Sequence, residues 1–267
     1  YRYVIQFNII VHLILNLLII NCYFNNFKKG AFDYKNLIFL SLVLFLPYRC
    51  HLTINILKDS LVLFSLIIFF TYQNIYSLII SFLVATPFRF GAIIYYILFL
   101  DYRKFNKKIF ISLLSLIIIF LLILFFRIIY TDYDYTHQDF IISIKEFLKS
   151  RNIAELGGRG FDEVPSFSEF KAGSLIRALI WPILFISGSF SFFTKSYLFY
   201  CLAFEVLFIQ IVFYYFFRKS LITINLLIVL MLIGIYTNTF TSYFRYSYLA
   251  FYVSILVSFF KIEHKSS

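Results

Sequence analysis

Long apolar runs, broken by short charged or proline-marked stretches, dominate this chain. The first run covers about residues 3–24 and ends at Lys28-Lys29. The second, about 36–47, stops at Pro47. A third begins after Lys58-Asp59 and fades at Thr71-Tyr72-Gln73-Asn74. The fourth, about 75–86, ends at Pro87, and the fifth, about 89–100, ends in Asp101-Tyr102-Arg103-Lys104. The sixth covers about 109–130. A polar stretch, 131–173, follows, then an apolar segment, 174–192, broken by Pro182 and Gly188. Further runs lie at about 196–217, 221–236 and 246–260. A helix crosses a bilayer with about 20 apolar residues. The runs therefore predict an all-α, polytopic integral membrane protein forming a single transmembrane domain over 1–267.

Composition points the same way. Hydrophobic residues make up 62% of the 267 residues and charged residues 14%. Soluble domains are about half apolar and a quarter charged, so a cytosolic enzyme, a secreted domain and a disordered tail are all excluded. Phe, Tyr and Trp reach 23%, mostly bulk suited to lipid. Cys22, Cys50 and Cys201 are scattered, with neither metal-ligand spacing nor a disulfide framework. The chain opens at Tyr1 and is apolar at once, so helices are expected upstream of it.

A net charge of +11 becomes informative once each cation is assigned a side. By the positive-inside rule, Lys28-Lys29, Lys104, Lys107, Lys108, Arg218-Lys219, Lys261 and Lys265 belong in the cytoplasm. The alternation then closes with nine crossings, residue 1 outside and the C-terminus inside. Its one condition is that 174–192 is an interfacial or re-entrant segment on the outer side, which Pro182 and Gly188 permit. The 131–173 stretch becomes an outer loop.

This topology sorts the cations by type. Nine of 14 lysines face the cytoplasm, but only Arg103 and Arg218 of ten arginines do. Outside are Arg2, Arg49, Arg89, Arg127, Arg151, Arg159, Arg177 and Arg245. A guanidinium grips phosphate oxygens in pairs and keeps its charge at low dielectric. The set suits an anionic lipid ligand. Each arginine alone has a plainer use, in snorkelling to headgroups or pairing with a carboxylate.

Within the outer loop, Thr136 and Asp139 resemble a capping box. Over 139–149, Ile141, Ile144 and Leu148 share a face apart from Lys145 and Lys149, which predicts an amphipathic surface helix. Gly157, Gly158 and Gly160 around Arg159 form either an anion-holding backbone or a flexible turn. Candidate bases are His137, flanked by Asp132 and Asp134, and Asp162. The other outer carboxylates are Asp59, Asp139, Glu146, Glu155, Glu163 and Glu169. Glu205, alone in an apolar run, is expected to face the bundle interior or an arginine. No His or Cys spacing predicts a metal, and no cofactor is expected.

Three stretches resemble the integral-membrane polymerases of O-antigen and capsule repeat units, the Wzy-type proteins. They are Leu57-Lys58-Asp59-Ser60-Leu61; Gly157-Gly158-Arg159-Gly160-Phe161 with Leu175-Ile176-Arg177 through Trp181-Pro182; and Asn238 through Arg245-Tyr246. An Arg-x10-Gly spacing known in some members recurs at Arg177 and Gly188, but ten arginines and eight glycines make one such match unremarkable.

The resemblance implies a GT-C-like membrane fold in the bacterial inner membrane. It implies transfer of a growing glycan from undecaprenyl diphosphate to a repeat unit on the same carrier, at the outer face, without metal. Diphosphate and glycan would be held by Arg49, Lys58, Arg89, Arg159, Arg177, Arg245 and Tyr246, with His137 or Asp162 as base. Expected partners are the lipid-linked oligosaccharide, membrane lipids and a chain-length regulator, with no nucleic acid. Rival readings are a flippase for the lipid-linked unit, another lipid-linked-sugar glycosyltransferase or ligase, and a non-enzymatic assembly protein.

Overall fold

Leu-, Ile- and Phe-rich runs become helices, because a helix satisfies its own backbone where water is absent. The computed structural model describes residues 2–26, 33–55, 57–88, 90–101, 107–133, 174–189, 191, 197–237 and 240–263. All elements among them are helical. They are α1 (Arg2–Asn26), α2 (Tyr34–Leu44), α3 (Pro47–Asn55), α4 (Leu57–Tyr72), α5 (Ile75–Phe88), a 3₁₀ helix (Phe90–Asp101), α6 (Lys107–Tyr133), α7 (Ser174–Ser187), α8 (Tyr197–Phe217), α9 (Ile224–Tyr236) and α10 (Phe240–Glu263). The outer-loop features at 139–149 and 157–160 lie outside the described residues.

Polar residues mark the helix starts. Asp33 accepts from the Lys35 N–H at 3.5 Å, opening α2. Thr223 accepts from the Leu226 N–H at 3.2 Å, opening α9. At α5 the Ser77 N–H donates to Asn74 Oδ1 at 2.7 Å, and the Asn74 N–H donates to Ser77 Oγ at 3.1 Å. This is the reciprocal arrangement of a capping box.

Side-chain pairings give the helix directions. Phe199, Glu205 and Phe217 of α8 meet Phe244, Tyr248 and Phe259 of α10 in that order, so the two run the same way. α4 runs with them, since Asp59 meets Arg245 while Phe70 shares a small apolar cavity with Val253 and Val257. The 3₁₀ helix does too: Tyr95 reaches Tyr246, and Phe99 lines that same cavity. α2 and α3 run the opposite way, with Phe39 against Phe217 and Phe259, and Tyr48 against Glu205 and Tyr248. One end of the bundle thus carries Lys35, Arg218 and Lys219, and the other carries Asp59 and Arg245.

Three features differ from the sequence expectation. The second run is not one helix ending at Pro47. α2 stops at Leu44, Phe45 and Leu46 break it, and α3 restarts at Pro47. Proline lacks an N–H and favours a first helical position. At about 1.5 Å per residue the two pieces together match the hydrocarbon thickness, whereas α2 alone does not. The fifth run is a 3₁₀ helix of 12 residues, about 24 Å long at 2.0 Å per residue. The third is α7. Trp181 packs on Tyr243, Phe185 on Phe251, and Gln210 Nε2 donates to the Ile186 carbonyl at 3.1 Å. Gly188 lies against Ala203 and Leu207. α7 runs unbroken through Pro182 and ends beside the middle of α8, not at its start.

Gly188 has φ +67°, and a Cβ there would meet Leu207 Cδ1 at 3.0 Å. Gly188→Ala is expected to destabilise the protein by about 1–2 kcal/mol through left-handed strain, read as a lower thermal midpoint in detergent. An unchanged midpoint would mean that the tip of α7 adjusts freely.

The bundle is apolar both inside and on its outward faces, with a few polar groups buried in the core. Buried polar groups include Arg49, Asp59, Glu205, Asn8 and Ser247. Outward faces are apolar: Phe7, Ile10, Leu13, Ile14 and Leu17 on α1, and Phe204, Leu207, Ile211 and Tyr215 on α8. Phe204 is 70% exposed beside Glu205 at 4%. Two helices, over Gln6–Asn25 and Phe199–Phe217, are long and apolar enough to cross a membrane. Contiguous apolar faces of this extent mark contact with lipid or protein.

Candidate functional site

Two polar clusters are built where helices meet inside the bundle. The inner one lies at the α2–α3 break. The Tyr48 N–H follows Pro47 and has no turn before it to bond. It donates to Glu205 Oε2 of α8 at 2.8 Å, and the Tyr248 hydroxyl of α10 donates to Glu205 Oε1. The carbonyls at the end of α2 are met in turn. Arg49 Nη1 donates to the Leu44 carbonyl at 2.7 Å, and the Tyr252 hydroxyl donates to the Val43 carbonyl at 3.0 Å. Arg49 Nη2 donates to Asn16 Oδ1, and Asn16 Nδ2 lies 3.1 Å from His12 Nε2. The guanidinium also sits 5.3 Å from the centre of the Tyr252 ring. Each exposed helix end thus faces a side chain of opposite charge to its dipole. Glu205 faces the interior, as expected, and accepts from a backbone N–H and a tyrosine hydroxyl.

The second cluster lies at the end of the bundle away from Lys35 and Lys219. Asp59, in the first turn of α4, is 0% exposed, and its Oδ2 lies 3.2 Å from Arg245 Nε. The Arg245 side chain is 29% exposed. Its guanidinium lies 5.6 Å from the centre of the Tyr246 ring, a cation–π distance. The Tyr95 hydroxyl donates to the Tyr246 carbonyl at 3.2 Å, tying the 3₁₀ helix to this turn of α10. The Nη groups of Arg245 have no partner among the described residues.

The sequence candidates divide accordingly. Arg245 and Tyr246 come together with Asp59, which the sequence places among the outer carboxylates and in the Leu57–Leu61 stretch without giving it a role. Its signal was the Lys58-Asp59 pair opening an apolar run. Arg49 is 1% exposed and held on protein oxygens, so it presents no surface to a ligand in this arrangement. Lys58 and Arg177 stand in the first turns of α4 and α7; the placement of their side chains lies outside the described set. Arg89, His137, Arg159 and Asp162 lie outside the described residues. Among the described residues no group of three or more His, Cys, Asp or Glu could hold a metal ion.

Comparison of the chain with protein families, with curated proteins and with solved structures yields no match.

Proposed function

We propose that this chain is a nine-crossing membrane protein that joins lipid-diphosphate-linked oligosaccharide repeat units at the outer face of a bacterial inner membrane. Its C-terminus would be cytoplasmic. The observation that carries the reading is Arg245: partly exposed, braced by buried Asp59 and the Tyr246 ring, at the end opposite Lys35, Arg218 and Lys219. The helix directions support the count. α4, the 3₁₀ helix, α8 and α10 run one way, and so does α1, with Asn16 on Arg49 and Tyr23 stacked on Phe259; α2–α3 is one broken crossing, and α7 enters and ends partway.

In the proposed reaction the acceptor's terminal hydroxyl oxygen bonds to the donor's anomeric carbon. The bond from that carbon to the lipid diphosphate breaks, and the hydroxyl proton passes to a base, for which His137 and Asp162 are the candidates. Negative charge builds on the departing diphosphate, and a positioned guanidinium stabilises it there. Oxygens of the leaving group match the arginine fork.

A second reading, a flippase for the same lipid-linked unit, is favoured by the break between α2 and α3, since transporters build midplane sites from discontinuous helices. One experiment separates the two. Deleting the gene in its host and resolving the surface polysaccharide on a gel is expected to leave lipid core bearing a single repeat unit, because export and attachment persist without extension. Complete loss of repeat units would instead favour the flippase. An unchanged ladder would sink both.

A further inference from the structure

Arg245 Nε lies 3.2 Å from Asp59 Oδ2 as an ion pair, with neither atom in hydrogen-bond geometry. The buried carboxylate therefore holds the guanidinium by charge on its Nε side, and the guanidinium keeps four further N–H donors on Nη1 and Nη2. The Tyr246 ring packs on the same guanidinium. The Tyr95 hydroxyl holds the Tyr246 carbonyl, so the turn carrying Arg245 is pinned to a neighbouring helix. Asp59 itself is 0% exposed, with its carboxylate beneath the arginine. It is placed to aim the arginine and has no open path to a substrate hydroxyl.

We infer that Asp59 is the positioning residue of an anion site in which the Nη1/Nη2 end of Arg245 takes two oxygens of a phosphoryl group. The inference rests on the reading of Arg245 as a diphosphate ligand and adds the group that sets its aim. The phosphoryl could belong to a prenyl diphosphate or to a phospholipid headgroup, and both present paired oxygens to the fork.

The sole tryptophan offers a local reporter. Trp181 of α7 packs 5.0 Å from Tyr243, two residues before Arg245. The test uses the whole purified chain in detergent micelles. Binding of tritiated farnesyl diphosphate is measured directly and Trp181 emission is followed in parallel. Asp59→Asn is expected to weaken binding roughly tenfold, the lower end of what losing an orienting partner costs at a charged site. Asp59→Glu should recover part of the loss, and Arg245→Gln should abolish binding. Asp59→Asn added to Arg245→Gln should change nothing further, since a positioning residue acts only through its arginine.

Fold is checked for each variant by elution profile and thermal midpoint. Asp59→Glu keeps the charge and moves it, and so stays informative if Asp59→Asn alone does not fold. Wild-type affinity in Asp59→Asn, with loss in Arg245→Gln, would overturn the role of Asp59 and leave the Arg245 reading standing. No binding by the wild type would overturn both. Displacement of farnesyl diphosphate by an equal concentration of phosphatidylglycerol would support the phosphoryl site while assigning it to headgroups, against the proposed donor.

Discussion

Replacing Glu205 with alanine is expected to lower the thermal midpoint of the purified protein by roughly 10 °C. The carboxylate meets both the Tyr48 N–H and the Tyr248 hydroxyl in the buried interior. Its removal leaves those donors unmet inside the bundle. Breaking one side of a buried charged arrangement costs about 3–5 kcal/mol, and each kcal/mol moves the midpoint of a chain this size by about 2–4 °C. Glu205→Gln should do less harm, because the amide oxygen still accepts one bond. Changing Arg49 and Glu205 together to methionine should recover part of the loss, since no lone charge then remains in the core. Heating aliquots and following the surviving monodisperse peak reads all three. A Glu205→Ala midpoint within a couple of degrees of wild type would mean that the α2–α3 break is held by packing alone.

Arg245→Gln should have the opposite profile, with a large effect on activity and a small one on folding. Arg245 is partly exposed at the bundle end, and the amide can still donate to Asp59. A single preorganised donor facing developing charge is worth on the order of 10²–10³ in rate. Complementing the deleted host with Arg245→Gln should therefore leave mostly single repeat units. Arg245→Lys, which keeps the charge but loses the planar fork, should give short chains. A full-length ladder from Arg245→Gln, at normal expression, would remove this arginine from the chemistry.

The helical class was legible because long apolar runs favour a structure that satisfies its own backbone. The runs at 3–24 and 196–217 correspond to α1 and α8, the two helices long and apolar enough to cross a membrane. What escaped was whatever depends on partners far along the chain. Pro47 read as a stop because its N–H is missing. That the chain resumes as helix at once depends on Glu205, 157 residues later. Residues 47–55 hold Arg49, His51 and three other polar positions and so gave no apolar run. The 3₁₀ winding of 90–101 left no trace in a run that a helix of either kind would satisfy.

The site was half legible. An outer arginine excess is a property of counts, and Arg245 and Arg49 look alike in a count. Only the fold separates one held on the Leu44 carbonyl from one beside Asp59 whose Nη groups have no partner among the described residues. Asp59 was passed over because a lone carboxylate beside Lys58 carries no spacing pattern that picks it from its peers.

The long reach of the α2–α3 joint also bears on how the protein is made. Tyr48 waits for Glu205, and Val43 waits for Tyr252, 209 residues downstream. Synthesis runs from the N-terminus, so α2 and α3 are made long before these closing groups exist. Until then other groups must satisfy their open ends. The joint is therefore among the last parts of the fold to be finished, and a ribosome pause or truncation before α10 would strand it half-built.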